Sequence, residues 1–205
     1  MAKLLSTKVL SPKNHKKIKD SSIKISDYNA IKIEKIDFNV NQRIENAIFT
    51  SKNSVKAVLN KKLKIKNCYC VGEKTKSLLL KNGQKVVKSE ENAQKLADFI
   101  VKSVKNSVFV FFCGNIKRDE LPKILTKNHI KFSVIEVYKT SLIYKKIDEA
   151  FNGILFFSPS AVRSYCYYNK IDNEMLFTIG QTTTNEAKTF SNKIITSDIN
   201  SIDQV

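Results

Sequence analysis

The residues of this 205-residue chain best placed to do chemistry are small hydroxyls and backbone donors at the ends of apolar runs. The run AIFTS (47–51) ends in Thr50 and Ser51, and ILFFSPS (154–160) carries Ser158 and Ser160. Gly72 with Thr75, and Gly180 with Thr182 and Thr183, follow two further apolar runs, while Gly114-Asn115 follows SVFVFFC. Hydroxyls and free N–H groups where a strand gives way to a helix hold anions, because a helix begins in partial positive charge. No His and no paired carboxylate stands at these turns, so they imply anion holding rather than acid–base hydrolysis. Each residue also has a purely structural use: the serines as N-caps, the glycines in tight turns, Pro159 in a first helical turn. Tyr138 differs in kind. It lies on an alternating apolar–polar stretch, where its phenol can donate a proton to a leaving group or simply pack against the strand.

The elements that position these residues form an internal repeat. Segment 47–59 (AIFTSKNSVKAVL) matches 154–166 (ILFFSPSAVRSYC), and 68–80 (CYCVGEKTKSLLL) matches 176–188 (LFTIGQTTTNEAK). In each copy an apolar strand runs into a Ser, then a helix pattern follows: Val55, Val58 and Leu59 in one, Val162, Tyr165 and Cys166 in the other. Strands ending in small polar residues before helices are the mark of a parallel sheet with crossover helices. The first copy continues with a helix at 91–105, a strand at 107–113 and a helix at 117–128. The second copy lacks a strand, and residues 3–7 offer one. The pattern therefore predicts an α/β protein of two Rossmann- or flavodoxin-like parallel-sheet domains, the first discontinuous (1–30 plus 146–205) and the second continuous (41–133). Segments 31–40 and 134–142 are expected as a two-stranded ribbon linking them, and 145–151 as a short helix. In such sheets ligands sit beyond the carboxyl ends of the strands, so two facing domains predict a cleft for a small polyanion.

Composition narrows the function classes. The formal charge is +17, yet only three of the 36 basic residues are Arg (Arg43, Arg118 and Arg163). Bidentate reading of phosphates and bases favours Arg, and the lysines are scattered, so no nucleic-acid partner is expected. Cys68, Cys70, Cys113 and Cys166 sit inside apolar runs, and His15 and His129 stand far apart. That predicts buried reduced thiols and no metal site. No GxGxxG or GxxxxGK[ST] occurs, so dinucleotide and nucleoside-triphosphate sites have no support. The absence of a leader-like segment and of a long apolar run predicts a soluble, cytoplasmic protein with no membrane partner.

Six stretches in order, AIFTSKNSV (47–55), VGEKT (71–75), FCGNIKRDELP (112–122), EVYKT (136–140), FFSPSAV (156–162) and IGQTT (179–183), resemble the uroporphyrinogen-III synthase family. The resemblance implies a bilobal, cofactor-free, monomeric enzyme that converts hydroxymethylbilane to uroporphyrinogen III in tetrapyrrole (haem) biosynthesis. In the family's outline, loss of water leaves an azafulvene cation that attacks the substituted carbon of ring D. The resulting spiro intermediate fragments and recloses with ring D inverted. The resemblance casts Tyr138 as the group that assists departure of the hydroxyl. It casts Thr50, Ser51, Thr75, Ser158, Thr182 and Thr183, with backbone N–H groups around Gly114 and Asn115, as carboxylate contacts. Gln181 stands where many members have Pro, and the chain ends at Val205 where the family continues into a final helix. Two alternatives stay open on the residues alone: a non-catalytic two-lobed protein binding a small anion, and a basic nucleic-acid-binding module.

Overall fold

The computed structural model of the chain describes residues 1–19, 22–61 and 63–198. Along the chain run β1 (Ala2–Ser6), α1 (Pro12–Lys19), β2 (Ile23–Asp27), β3 (Ile31–Lys35), β4 (Arg43–Phe49), α2 (Lys52–Val58), β5 (Lys64–Val71), α3 (Glu73–Lys81) and β6 (Val86–Glu90). There follow α4 (Ala93–Ser103), β7 (Val108–Gly114), α5 (Glu120–Lys127), β8 (Lys131–Leu142), β9 (Gly153–Phe156), α6 (Pro159–Cys166), β10 (Met175–Thr178), α7 (Gln181–Ala187) and β11 (Ile194–Thr196). The chain divides into two compact units, Met1–Lys32 with the chain from Ser141 on, and Ile33–Thr140. It passes from one unit to the other within β3 and within β8. Those two strands are neighbours in the sheet of the second unit.

That sheet has six strands in the order β3-β8-β7-β4-β5-β6, and the pairs β4–β5, β4–β7, β5–β6 and β7–β8 are parallel. Its central strands are buried on both faces, which is why 108–113 reads as an unbroken apolar run rather than an alternating one. Alternation shows instead in which core each residue joins. Ala47, Phe49, Cys68, Cys70 and Phe112 pack with α2 and α3, whereas Ile48, Tyr69, Phe109, Phe111 and Cys113 pack with α4 and α5. Cys68 and Cys70, two apart on β5, thus point to one face, and both thiols are buried and unbridged.

The other sheet runs β11-β10-β9-β1-β2, again with parallel pairs. Starting from the strand that opens each repeat, β4 or β9, both sheets follow the same order. The difference is one of connection. The places held by β7 and β8 in one sheet are filled by β1 and β2 in the other, so the two units are circular permutants of one winding. Lys3 N–H and Thr7 N–H reach across to Asn152 Oδ1 (2.7 Å) and the Leu155 carbonyl (3.1 Å), tying the first strand to β9. Leu5, Ile154, Phe156, Val162, Tyr165, Leu176 and Ala187 form the core of this unit.

The structure departs from the sequence pattern in two places. β2 is a strand that the pattern did not predict, since residues 8–30 show little periodicity. The helix expected at 145–151 is absent, and the segment runs as irregular chain. Asn169 holds that course: its side chain accepts from Ile147 N–H and donates to the Lys145 carbonyl, both at 2.8 Å, and that carbonyl is one a helix would use for its own bonding. The expectation about a shortened final helix falls on 199–205, outside the described residues. Among the described residues no helix is long and apolar enough to cross a membrane.

Candidate functional site

From β4 the chain winds outward through β5 and β6, then returns to lay β7 and β8 on the other side. At the β4/β7 seam the two neighbouring strands feed connections that leave in opposite directions. Such a switch point at the carboxyl ends of the strands is the usual place for a ligand in these sheets. Thr50 and Ser51 follow β4, Gly114 ends β7 and Asn115 comes next, so four of the expected residues meet at this seam.

Tyr138 reaches the same seam from β8 by way of a bulge. Cys113 pairs with Glu136 but Gly114 pairs with Tyr138, so Val137 is the extra residue. In a regular strand Val137 and Tyr138 would face opposite sides. The bulge breaks that alternation, and both pack against the core that α2 and α3 share. The ring of Tyr138 then lies directly over Gly114. A methyl group on Gly114 would sit 2.5 Å from Cε2 and Cζ of the ring and 2.9 Å from its hydroxyl. Gly114 is therefore needed for close approach, not for an unusual backbone angle.

Burial pushes the Tyr138 phenol above its ordinary value of 10.0, the neighbouring Ser51 hydroxyl pulls it back, and the Cys113 thiol adds to the rise. Ser51 also caps α2, its oxygen accepting from Asn53 N–H at 3.1 Å. A hydroxyl that accepts from the helix still has its own proton to give, and the phenol oxygen beside it is the natural acceptor. Tyr138 is left protonated at neutral pH with its own O–H to direct elsewhere. Asn115 has a second role that its sequence position did not reveal. Its Oδ1 accepts from Thr140 N–H at 2.7 Å, its Nδ2 donates to the Thr140 carbonyl at 3.2 Å, and its backbone N–H donates to the Tyr138 carbonyl at 3.3 Å. One side chain thereby closes the ladder just beyond the bulge.

The remaining expected residues fall at matching turns of the two units. Gly72 caps α3 with φ +84°, a conformation suited to glycine, while Gly180 caps α7 in extended backbone that any residue adopts. Thr75 N–H and Thr183 N–H each turn back to those glycine carbonyls, at 3.0 and 2.9 Å. Thr75 and Thr183 are almost wholly buried, whereas Thr182 is exposed. Ser158 caps α6 by accepting from Ala161 N–H at 3.1 Å, and Ser160 lies under the Arg163 guanidinium, which is paired with Glu186 at 2.7 Å.

Two residues of the same turns escaped the sequence reading. Thr184, the third of the threonine run, joins Thr178 and Thr196 in a buried hydroxyl chain at 2.6 and 2.7 Å that fixes α7 to β10 and β11. Thr7, buried at the β9/β1 seam, donates to the Leu155 carbonyl at 2.7 Å just past the end of β1, the strand that takes the place of β7. The alignment of the repeat could not find Thr7, because the permutation moves it to the other end of the chain.

Burial pushes the thiols up, to about 12 at Cys68 and Cys166 and about 11 at Cys113, so none is a ready nucleophile. No group of three His, Cys, Asp or Glu able to hold a metal occurs among the described residues. What the seam offers is one protonated phenol, capped hydroxyls and first-turn N–H groups.

The profile of the family described as uroporphyrinogen-III synthase HemD matches residues 14–204. Among solved structures, the chain is similar to the uroporphyrinogen-III synthetase from Helicobacter pylori at 16% identity, covering 100% of this chain and 96% of that one with a TM-score of 0.69. It is also similar to a mutant uroporphyrinogen III synthase from the extremely thermophilic bacterium Thermus thermophilus at 10% identity, covering 96% and 92% with a TM-score of 0.71. At such identities the structural likeness bears on the fold alone.

Proposed function

The chain belongs to the uroporphyrinogen-III synthase family, and from that premise we propose that it closes hydroxymethylbilane into uroporphyrinogen III, with loss of water and inversion of ring D. Tyr138 supplies the acid. Its phenol proton passes to the departing hydroxymethyl oxygen as the C–O bond breaks, water leaves, and Ser51 donates to the phenolate that remains. The cation attacks the substituted carbon of ring D, and the spiro product fragments and recloses. The proton released as the last pyrrole regains its aromaticity returns to the phenolate, so the enzyme ends as it began. Positioned general acids of this kind contribute on the order of 10²–10⁴ in rate.

Selecting the inverted isomer is a matter of holding ring D, which is orientation rather than chemistry. We assign that holding to Thr50, Ser51, Gly72, Thr75, Gly114 and Asn115 in one domain (41–133). Ser158, Ser160, Gly180, Thr182 and Thr183 do the same in the other (1–30 plus 146–205), with 31–40 and 134–142 as the linker. The enzyme works as a monomer in the cytoplasm, on a small molecule and not on nucleic acid, and without a cofactor. Its four unbridged cysteines suit a reducing compartment. The observation that carries the reading is the Tyr138 ring held over Gly114 beside Ser51.

The test is to give fresh hydroxymethylbilane to the protein and separate the product isomers by chromatography. Wild type yields uroporphyrinogen III, and Tyr138→Phe loses most of that rate. Wild-type protein that returns only the spontaneous, unturned isomer sinks the proposal.

A further inference from the structure

We propose that a lysine-walled groove between α2 and α3 extends the candidate site and takes peripheral carboxylates of the substrate, an inference that rests on the cyclase reading above. The groove is an open surface depression of about 400 Å³, and Lys52, Lys56, Lys74 and Lys81 wall it with Glu73 and Leu78. Being open, it suits the edge of a ligand held mainly elsewhere. Four lysines and a single carboxylate thus line it. Glu73 is itself drawn off, by Lys76 at 3.4 Å and the Ser77 hydroxyl at 3.5 Å. The Lys56, Lys74 and Lys81 ammonium groups make no ion pair or hydrogen bond among the described residues. A concave wall of one sign focuses the field and concentrates anions.

Position selects which anion. Lys52 directly follows Ser51 and Glu73 directly follows Gly72, so the groove begins at the turns already assigned to substrate. Leu78 and the lysine methylenes give it an apolar lining on which a pyrrole edge can rest while the ammonium heads meet carboxylates. A polycarboxylate that reaches from the seam onto this wall meets both.

The experiment compares Lys56→Gln/Lys74→Gln/Lys81→Gln with Lys102→Gln/Lys105→Gln/Lys127→Gln, an equal charge change away from the groove. All six side chains are exposed, so both variants keep the wild-type circular dichroism and melting temperature. The groove variant raises KM for hydroxymethylbilane roughly tenfold, about twofold per exposed ion pair lost. Its kcat is unchanged, and its KM depends less on salt than that of wild type. Benzenehexacarboxylate, a non-reacting probe, inhibits wild type competitively and the groove variant weakly. An unchanged KM in the groove variant, or an equal rise in the control variant, overturns the proposal. Probe binding lost without a change in KM also overturns it, by showing a site for free polyanions only. If wild type forms no uroporphyrinogen III, the cyclase reading has failed; titration with the probe then shows separately whether the groove binds polycarboxylates.

Discussion

Gly114→Ala tests whether the placement of the Tyr138 ring, and not just its presence, sets the rate. The new methyl group would lie 2.5 Å from two ring carbons, where ordinary contact begins at 3.4 Å, so the ring has to retreat by roughly 1 Å. It has little room to do so. Val137 beside it is fully buried, and the bulge is clamped by Asn115. Relieving such a clash costs about 1–3 kcal/mol of stability, and a displacement of about 1 Å at a reacting group costs on the order of 10²-fold in rate. Gly114→Ala should therefore stay folded, melt several degrees lower and form uroporphyrinogen III about a hundredfold more slowly. The decisive comparison is a double-mutant cycle. In a Tyr138→Phe background the same glycine change should lower kcat little further, because the group it displaces has already lost its proton. A folded Gly114→Ala enzyme with wild-type kcat and isomer ratio would refute the reasoning, as would an equal loss of rate in both backgrounds.

Asn115→Leu removes both bonds to Thr140; kcat should fall, and Asn115→Asp, which keeps the acceptor for Thr140 N–H, should recover part of the loss in steady-state assays. Gly72→Ala should lower stability by about 1–2 kcal/mol in urea titration, since open space surrounds the new methyl but φ +84° strains any side chain. Stability should also depend steeply on alkaline pH. Burial raises Cys68 and Cys166 from 9.0 to about 12 and Tyr28 from 10.0 to about 12, so the folded state holds these protons more tightly than the unfolded one. Their contribution is intact below pH 9 and is lost as pH rises toward 12; circular dichroism should show unfolding in that window, with a shallower decline in Cys166→Ala.

The repeat made much of this molecule legible from its letters. Ser51 and Ser158, Gly72 and Gly180, and Thr75 and Thr183 take matching places because each follows a buried parallel strand, and burial on both faces writes a plain apolar run. Three features were not legible, for separate reasons. The bulge at Val137 adds one residue to a strand without changing its apolar–polar texture, so nothing in EVYKT says which way Tyr138 points. The clamp by Asn115 pairs residues 25 apart through a side chain that looks like an ordinary turn former. The irregular course of 145–151 is held by Asn169, a distant side chain overriding local preference. Roles that depend on one residue's own backbone read well; roles that depend on a remote partner do not.

The permuted connection gives the two halves of the chain different histories at birth. All of β4 through β8 emerges from the ribosome in one stretch, so the second unit can complete its sheet between β4 and β8 while synthesis continues. β1 comes out first and must wait for β9, its partner about 149 residues later. Until then β1 and β2 have a bare edge, and closing so long a loop carries a larger entropic cost than any pairing in the other unit. β1 is thus sealed only after every strand from β4 to β8 has been made, and slowing translation beyond residue 140 should prolong the interval in which β1 and β2 are open to proteolysis while β4 through β8 are already protected.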